Sequence, residues 1–198
     1  MLWPRLLAIL ACSLTFAACS HGDDDDNDQP EPPPSSPPAR GSLIQSPPTR
    51  TASLSPANLL DALSSVAEAQ QILEFISPPK CGIDIHYLQY NTVGPTDAAT
   101  TASAAMMIPT GTDPACQGPR PIVVYAHGTR VERALNQADI TNEDNLEALL
   151  AAVVFTAQGY VLVAPNYAGF DSSTLPYHPY LYVAAQFMFC SLAAGLDL

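Results

Sequence analysis

Two continuous apolar runs, PIVVYAHG at residues 121–128 and YVLVAPNY at residues 160–167, constrain the fold of this chain most strongly. Such runs are typical of strands that are buried on both faces of a sheet. The segment TNEDNLEALLAAVVFTAQG between them predicts a helix that Thr141 caps and Gly159 ends. A strand, a helix and a strand in this order predict a βαβ unit with parallel strands and a right-handed crossover.

Further elements are predicted upstream of this unit. LSPANLLDALSSVAEAQQILEF predicts a helix, because Ser55 suits the cap, Pro56 suits the first turn and leucines recur at helical spacing. CGIDIHYLQYNTVG and TTASAAMMIPTG predict two neighbouring antiparallel strands. The segment GTDPACQGPRP, which follows them, is rich in turn residues.

The amino terminus predicts a signal peptide over residues 1–18, with a positive start, a short apolar run and small residues before the cut. FAAC resembles a bacterial lipobox, which implies that Cys19 carries lipid and that the chain is anchored in the cell envelope. Ser20 after it implies the outer membrane more than the inner one. Phe16 departs from the lipobox pattern, so ordinary secretion is the alternative.

Residues 19–54 predict a disordered tether, and ordered structure is expected from residue 55. Six of the 19 acidic residues lie in HGDDDDNDQPE, and a Pro/Ser-rich stretch follows. The net charge is −12 and no basic patch is present, which excludes nucleic acid as a partner.

The cysteines predict one disulfide. Export makes a bond between Cys81 and Cys116 plausible, and two free buried thiols are the alternative. No CxxC or His-rich spacing indicates a metal site, so neither a metal nor another cofactor is expected.

YAHGT, AQGYVLVAPNYAGF and LPYHPYL, in this order, resemble the α/β-hydrolase family, and within it the bacterial secreted lipase- and esterase-like members. The resemblance covers residues 55–186. It implies an α/β fold with an incomplete α/β-hydrolase sheet, made of amino-terminal antiparallel strands and one parallel βαβ unit. The family's strand order would place IVVYAH at an exposed apolar edge if the strand after the nucleophile is missing, which predicts low solubility.

The resemblance also implies roles for two turns. Gly128 and Thr129 would form part of an oxyanion hole, with the Thr129 N–H as the donor and Gly128 permitting close approach of the substrate. Asn166 and Tyr167, at the end of the second run, and Gly169 after it would lie in a loop beside the active site. His127 would shape its turn rather than act as the catalytic base.

The nucleophile that this family requires is absent from the sequence. No serine has the G-x-S-x-G pattern, as inspection of Ser172, Ser173 and Ser191 shows, and Cys190 lacks the glycines too. His178 precedes the expected nucleophile, whereas the family's base follows it. No catalytic residue is therefore expected in this chain, and residues 187–198 are interpreted as an aberrant tail from a shifted frame or early stop.

The resulting hypothesis is an amino-terminal fragment of a lipid-anchored serine ester hydrolase, inactive by itself. An ester or lipid would be its substrate only in a full-length protein. The alternative is a non-catalytic envelope lipoprotein that binds a ligand or a partner through the same loops.

Overall fold

The computed structural model describes residues 38–70, 73–94 and 97–175 of the 198-residue chain. The predicted signal peptide, Cys19, His178, Cys190, Ser191 and the tail lie outside these residues. The strands are β1 (Thr49–Leu54), β2 (Gly82–Val93), β3 (Ala99–Thr110), β4 (Ile122–Val124) and β5 (Val161–Pro165). The helices are α1 (Pro56–Ser65), α2 (Ala67–Gln70) and α3 (Leu146–Val154).

The strands form one sheet in the order β1-β2-β3-β5-β4. β4 and β5 are parallel and are connected through α3, which confirms the predicted parallel pair. β2 and β3 are antiparallel over their whole length, as predicted. β3 also pairs with β5 in antiparallel fashion, so the central strands join the hairpin to the βαβ unit.

Ordered structure begins earlier than the sequence analysis predicted. β1 falls within residues 19–54, which were assigned to a disordered tether, and it pairs antiparallel with β2. Residues 41–44 also bond to β2 through the backbone, where Leu43 bridges Tyr90. The prediction failed here because backbone hydrogen bonds to β2, rather than an apolar pattern, hold this segment. Within the strand, only Ala52 and Leu54 pack against the core.

Two apolar clusters cover the two faces of the sheet. Along β3 the side chains alternate, with Ala105 and Met107 in one cluster and Ala104 and Met106 in the other. The first cluster includes residues of α1 and α3. The second is closed by loop residues, among them Leu135, which precedes α3, and others that follow β5. The segment after β5, residues 166–175, is called the β5 loop. Its apolar side chains pack directly against the sheet.

β4 is not buried on both faces as the continuous apolar run predicted. Ile122 and Val124 remain 45% and 50% exposed, and only Val123 packs against the core. β4 has a single neighbour among the described strands and therefore lies at the edge of that sheet. This matches the expected exposed apolar edge.

The helix boundaries differ from the predicted ones at both helical segments. The single helix predicted over residues 54–75 is interrupted at Val66, whose extended backbone separates α1 from α2. The start of α3 also differs. Thr141 does not cap it, because its hydroxyl donates to Asp139. Instead, Asn142 accepts from the Asp144 N–H and caps a single 3-10 turn that precedes α3. Gly159 ends the 3-10 turn after α3, and it has a φ of 106° that suits glycine. A Cβ there would also clash with the Ala115 carbonyl oxygen.

Two other predictions at this level are confirmed. The Ser55 hydroxyl caps α1 by accepting from the Asn58 N–H at 3.2 Å. Cys81 and Cys116 form a disulfide, with their Cα atoms 5.6 Å apart. The bond connects the start of β2 to the turn before β4, and both cysteines are fully buried.

Candidate active site

The two turns that the sequence analysis singled out meet at one edge of the sheet. β4 and β5 are parallel, so the residues after their carboxyl ends lie side by side. The rings of His127 and Tyr167 stack at 4.0 Å between centroids, and the Tyr167 hydroxyl donates to the His127 carbonyl oxygen at 2.9 Å. Phe170 packs edge-on against His127 at 5.7 Å.

His127 is buried, with 3% of its surface exposed. Its Nδ1 lies 2.7 Å from the Gly128 carbonyl oxygen, and because that oxygen can only accept, Nδ1 carries the proton. Burial lowers the pKa of His127, while the Gly128 carbonyl and the charge of Glu147 act in the opposite direction. These contacts hold the His127 side chain against its own turn.

Glu147, in the first turn of α3, was not singled out by the sequence analysis. Its Oε1 accepts from the Gly128 N–H and from the Tyr125 hydroxyl, each at 2.7 Å. Burial, with a further contribution from Glu147, raises the pKa of Tyr125 to about 12. The Gly128 N–H is therefore occupied by a carboxylate of the chain itself.

The Thr129 N–H differs from its neighbour. Thr129 is exposed, and its N–H has no acceptor within the described part of the chain. A Cβ on Gly128 would lie 3.6 Å from the Glu147 carboxylate oxygens, which is an ordinary contact.

Asn166 is fully buried and joins three segments. Its amide donates to the Ser103 hydroxyl of β3 at 2.8 Å and accepts from the Gln137 N–H at 2.7 Å. Ser103 in turn donates to Asp171 at 2.6 Å, and the Tyr87 hydroxyl also donates to that carboxylate. This network fastens the β5 loop to β2, β3 and the β4–α3 connection.

The β5 loop contains several residues in the left-handed region. Tyr167 has a φ of 59° and Asp171 one of 46°, although neither is glycine, and Gly169 has a φ of 91°. For a non-glycine residue this conformation costs on the order of 1 kcal/mol or more. Tyr167 has this conformation while its ring stacks on His127 and its hydroxyl donates to the His127 carbonyl oxygen.

No serine–histidine pair is present in the part of the chain that the structure describes. Ser172 bonds to the Tyr87 hydroxyl at 2.8 Å, and Ser173 accepts from the Leu175 N–H at 3.3 Å. Residues 38–70, 73–94 and 97–175 also contain no cluster of metal-binding side chains. Within the same residues, no helix is long and apolar enough to cross a membrane.

The fold is similar to that of LipA, a rice cell wall degrading esterase from Xanthomonas oryzae. Two of its structures, one of them ligand-bound, have TM-scores of 0.63 and 0.62 and are 27% identical over 80% of this chain. A Legionella pneumophila protein assigned as a hydrolase has a TM-score of 0.56 at 23% identity over 77% of the chain. The sequence matches no protein-family model and no curated protein.

These similarities show an α/β-hydrolase-like fold with a partial sheet, as the sequence analysis expected. The similar region covers 37% of LipA and 39% of the Legionella protein. The chain therefore spans little more than a third of the length of either protein.

Proposed function

We propose that this chain is the amino-terminal part of an esterase-like serine hydrolase, and that the Gly128–Thr129 turn supplies one donor of its oxyanion hole. The similarity to an esterase at 27% identity supports the class of reaction. The observation that carries the role of the turn is that Thr129 is an exposed residue whose N–H has no acceptor in the described residues, although the peptide before it is hydrogen-bonded.

The chemistry that such a turn serves is ester cleavage. A serine oxygen attacks the carbonyl carbon while its proton passes to the base. The carbonyl π bond breaks and the carbonyl oxygen becomes negatively charged. A backbone N–H held in advance stabilises that charge by on the order of 3 kcal/mol. In this proposal the nucleophile, the acid and the base come from sequence downstream of this chain, so the chain alone is inactive.

The proposal extends to location and substrate. Cys19 carries lipid, the acidic segment that follows holds the domain away from an anionic bilayer, and the protein is anchored in the cell envelope. Its substrate is an ester or a lipid that reaches the two turns at the carboxyl ends of β4 and β5. Metabolic labelling with a fatty-acid analogue tests the anchor, since Cys19→Ser should abolish labelling and export of that variant should be unchanged.

Ester hydrolysis by the chain joined to its downstream coding sequence tests the reaction. We expect this extended protein to hydrolyse short p-nitrophenyl esters and Thr129→Pro, which lacks the N–H, to lower kcat about 100-fold or more. Thr129→Ala retains the N–H and should keep most of the activity. An extended protein that hydrolyses no ester but binds a ligand would favour the non-catalytic lipoprotein, and equal activity of both variants would refute the role of Thr129.

A further inference from the structure

The Glu147 carboxylate makes contacts that the proposed reaction does not require of it. It projects from the first turn of α3, and one oxygen accepts two hydrogen bonds of 2.7 Å, from the Gly128 N–H and the Tyr125 hydroxyl. Both donors belong to the segment that follows β4. Hydrogen bonds to an ionised acceptor are roughly twice as strong as neutral ones.

The peptide between His127 and Gly128 is held from both sides. Glu147 accepts from its N–H, and the Tyr167 hydroxyl donates to its carbonyl oxygen at 2.9 Å. α3 and the β5 loop therefore each form a hydrogen bond to the same peptide unit, from opposite directions. Rotation of this unit would break both bonds.

The next peptide, between Gly128 and Thr129, is held through its carbonyl oxygen. His127 donates to that oxygen from Nδ1 at 2.7 Å. In a planar trans peptide the N–H points opposite to the C=O, so fixing the Gly128 carbonyl also fixes the direction of the Thr129 N–H. The donor proposed for the oxyanion is thus aimed by contacts that leave it unoccupied.

We propose that Glu147 is a positioning residue for the oxyanion turn. It binds the Gly128 N–H, holds the preceding peptide against Tyr167 and so leaves the Thr129 N–H as the donor that this turn offers to a substrate. The inference rests on the proposed function of the turn. Preorganised donors stabilise a developing charge because they need not reorient during the reaction.

Site-resolved amide hydrogen exchange on the 198-residue chain tests the contact. A low protein concentration is used because the exposed apolar edge at β4 is expected to promote self-association. Glu147→Ala should lower the protection of the Gly128 amide at least tenfold. Glu147→Gln keeps an acceptor oxygen at the same reach and should retain part of that protection. The control is Glu132→Gln, which removes the same charge from an exposed side chain in the β4–α3 connection and should change nothing at Gly128.

The variants distinguish several outcomes. Unchanged Gly128 protection in Glu147→Ala, with the sheet amides still protected, would overturn the inference. If Glu147→Ala does not fold, the Gly128 protection measured in Glu147→Gln is decisive. Protection equal to that of the unaltered chain would overturn the role of the Glu147 charge. A graded loss at Gly128 in the order Gln then Ala, with the sheet unaffected, supports it.

Kinetics of the extended protein separate this inference from the proposed function. Glu147→Ala should lower kcat at least tenfold with little change in KM, and Glu147→Gln should recover part of the loss. An active extended protein that Glu147→Ala leaves fully active would refute the positioning role and leave the proposed function standing. An inactive extended protein whose Gly128 protection still depends on Glu147 would refute the proposed function but not the contact.

Discussion

The side-chain amide of Asn166 connects segments that are far apart in the sequence. The loop that contains it was predicted, but the partners were not, because they lie 63 and 29 residues away in β3 and the β4–α3 connection. Ser103 carried a usable signal, since it is a polar residue within the apolar stretch ASAAMM. Glu147 carried none, because an acid in the first turn of a helix is common.

Replacing Asn166 should destabilise the fold. Asn166→Ala leaves the buried Gln137 N–H without its acceptor and removes one partner of Ser103, which costs about 2–3 kcal/mol in the free energy of unfolding. Urea denaturation measures this loss. Asn58→Ala, on the exposed surface of α1, is the matched control and should change stability by less than about 0.5 kcal/mol. Equal effects of the two variants would contradict the assigned network.

The buried ring of His127 predicts a dependence of stability on pH. Burial lowers its pKa from 6.5, so below that pH the unfolded chain binds a proton that the folded chain does not. Stability should therefore fall as the pH falls through the window just below 6.5. His127→Asn retains an N–H donor but cannot titrate, so its unfolding free energy should vary less between about pH 7 and 5. Parallel pH profiles from urea titrations would contradict this.

At the scale of elements, hydrophobic patterns predicted the existence of β2, β3, α1, α3 and the parallel strands. They did not predict β1, because its residues TRTASL contain few apolar side chains and their order depends on backbone bonds to β2. They also overstated the burial of β4, since a continuous apolar run does not reveal whether a strand has one neighbour or two.

The disulfide should contribute strongly to stability. It closes a separation of 35 residues, for which loop-closure entropy gives about 3–4 kcal/mol. The double variant Cys81→Ala/Cys116→Ala should melt at a clearly lower temperature than the oxidised chain. Reductant should lower the Tm of the unaltered chain and leave that of the variant unchanged, whereas a reductant-insensitive Tm in both would contradict the prediction.

The exposed edge at β4 should promote self-association. An unpaired apolar strand offers backbone groups to another chain, and a charge on such an edge opposes pairing. Val124→Glu should raise the concentration at which light scattering increases. Leu60→Glu alters another exposed apolar residue, on α1 and away from the edge, and should have a smaller effect. A larger effect of Leu60→Glu would show that self-association uses a surface other than the β4 edge.

At the scale of the whole molecule, the described residues contain both turns of a candidate oxyanion site and a sheet that ends at β4. The likeness to LipA covers 37% of that esterase. We propose that the turns belong to this chain and that the nucleophile lies in sequence beyond it. The family resemblance alone suggested this division. Contacts such as that between Glu147 and the Gly128 N–H depend on the folded arrangement, so the sequence did not predict them.

Labelling by a fluorophosphonate, which reacts with activated serines, tests this division most directly. The 198-residue chain and the extended protein would be treated in parallel and the adducts located by mass spectrometry. We expect no adduct on the chain alone and one on a serine in the downstream part of the extended protein. An adduct on a serine of residues 1–198 would contradict it.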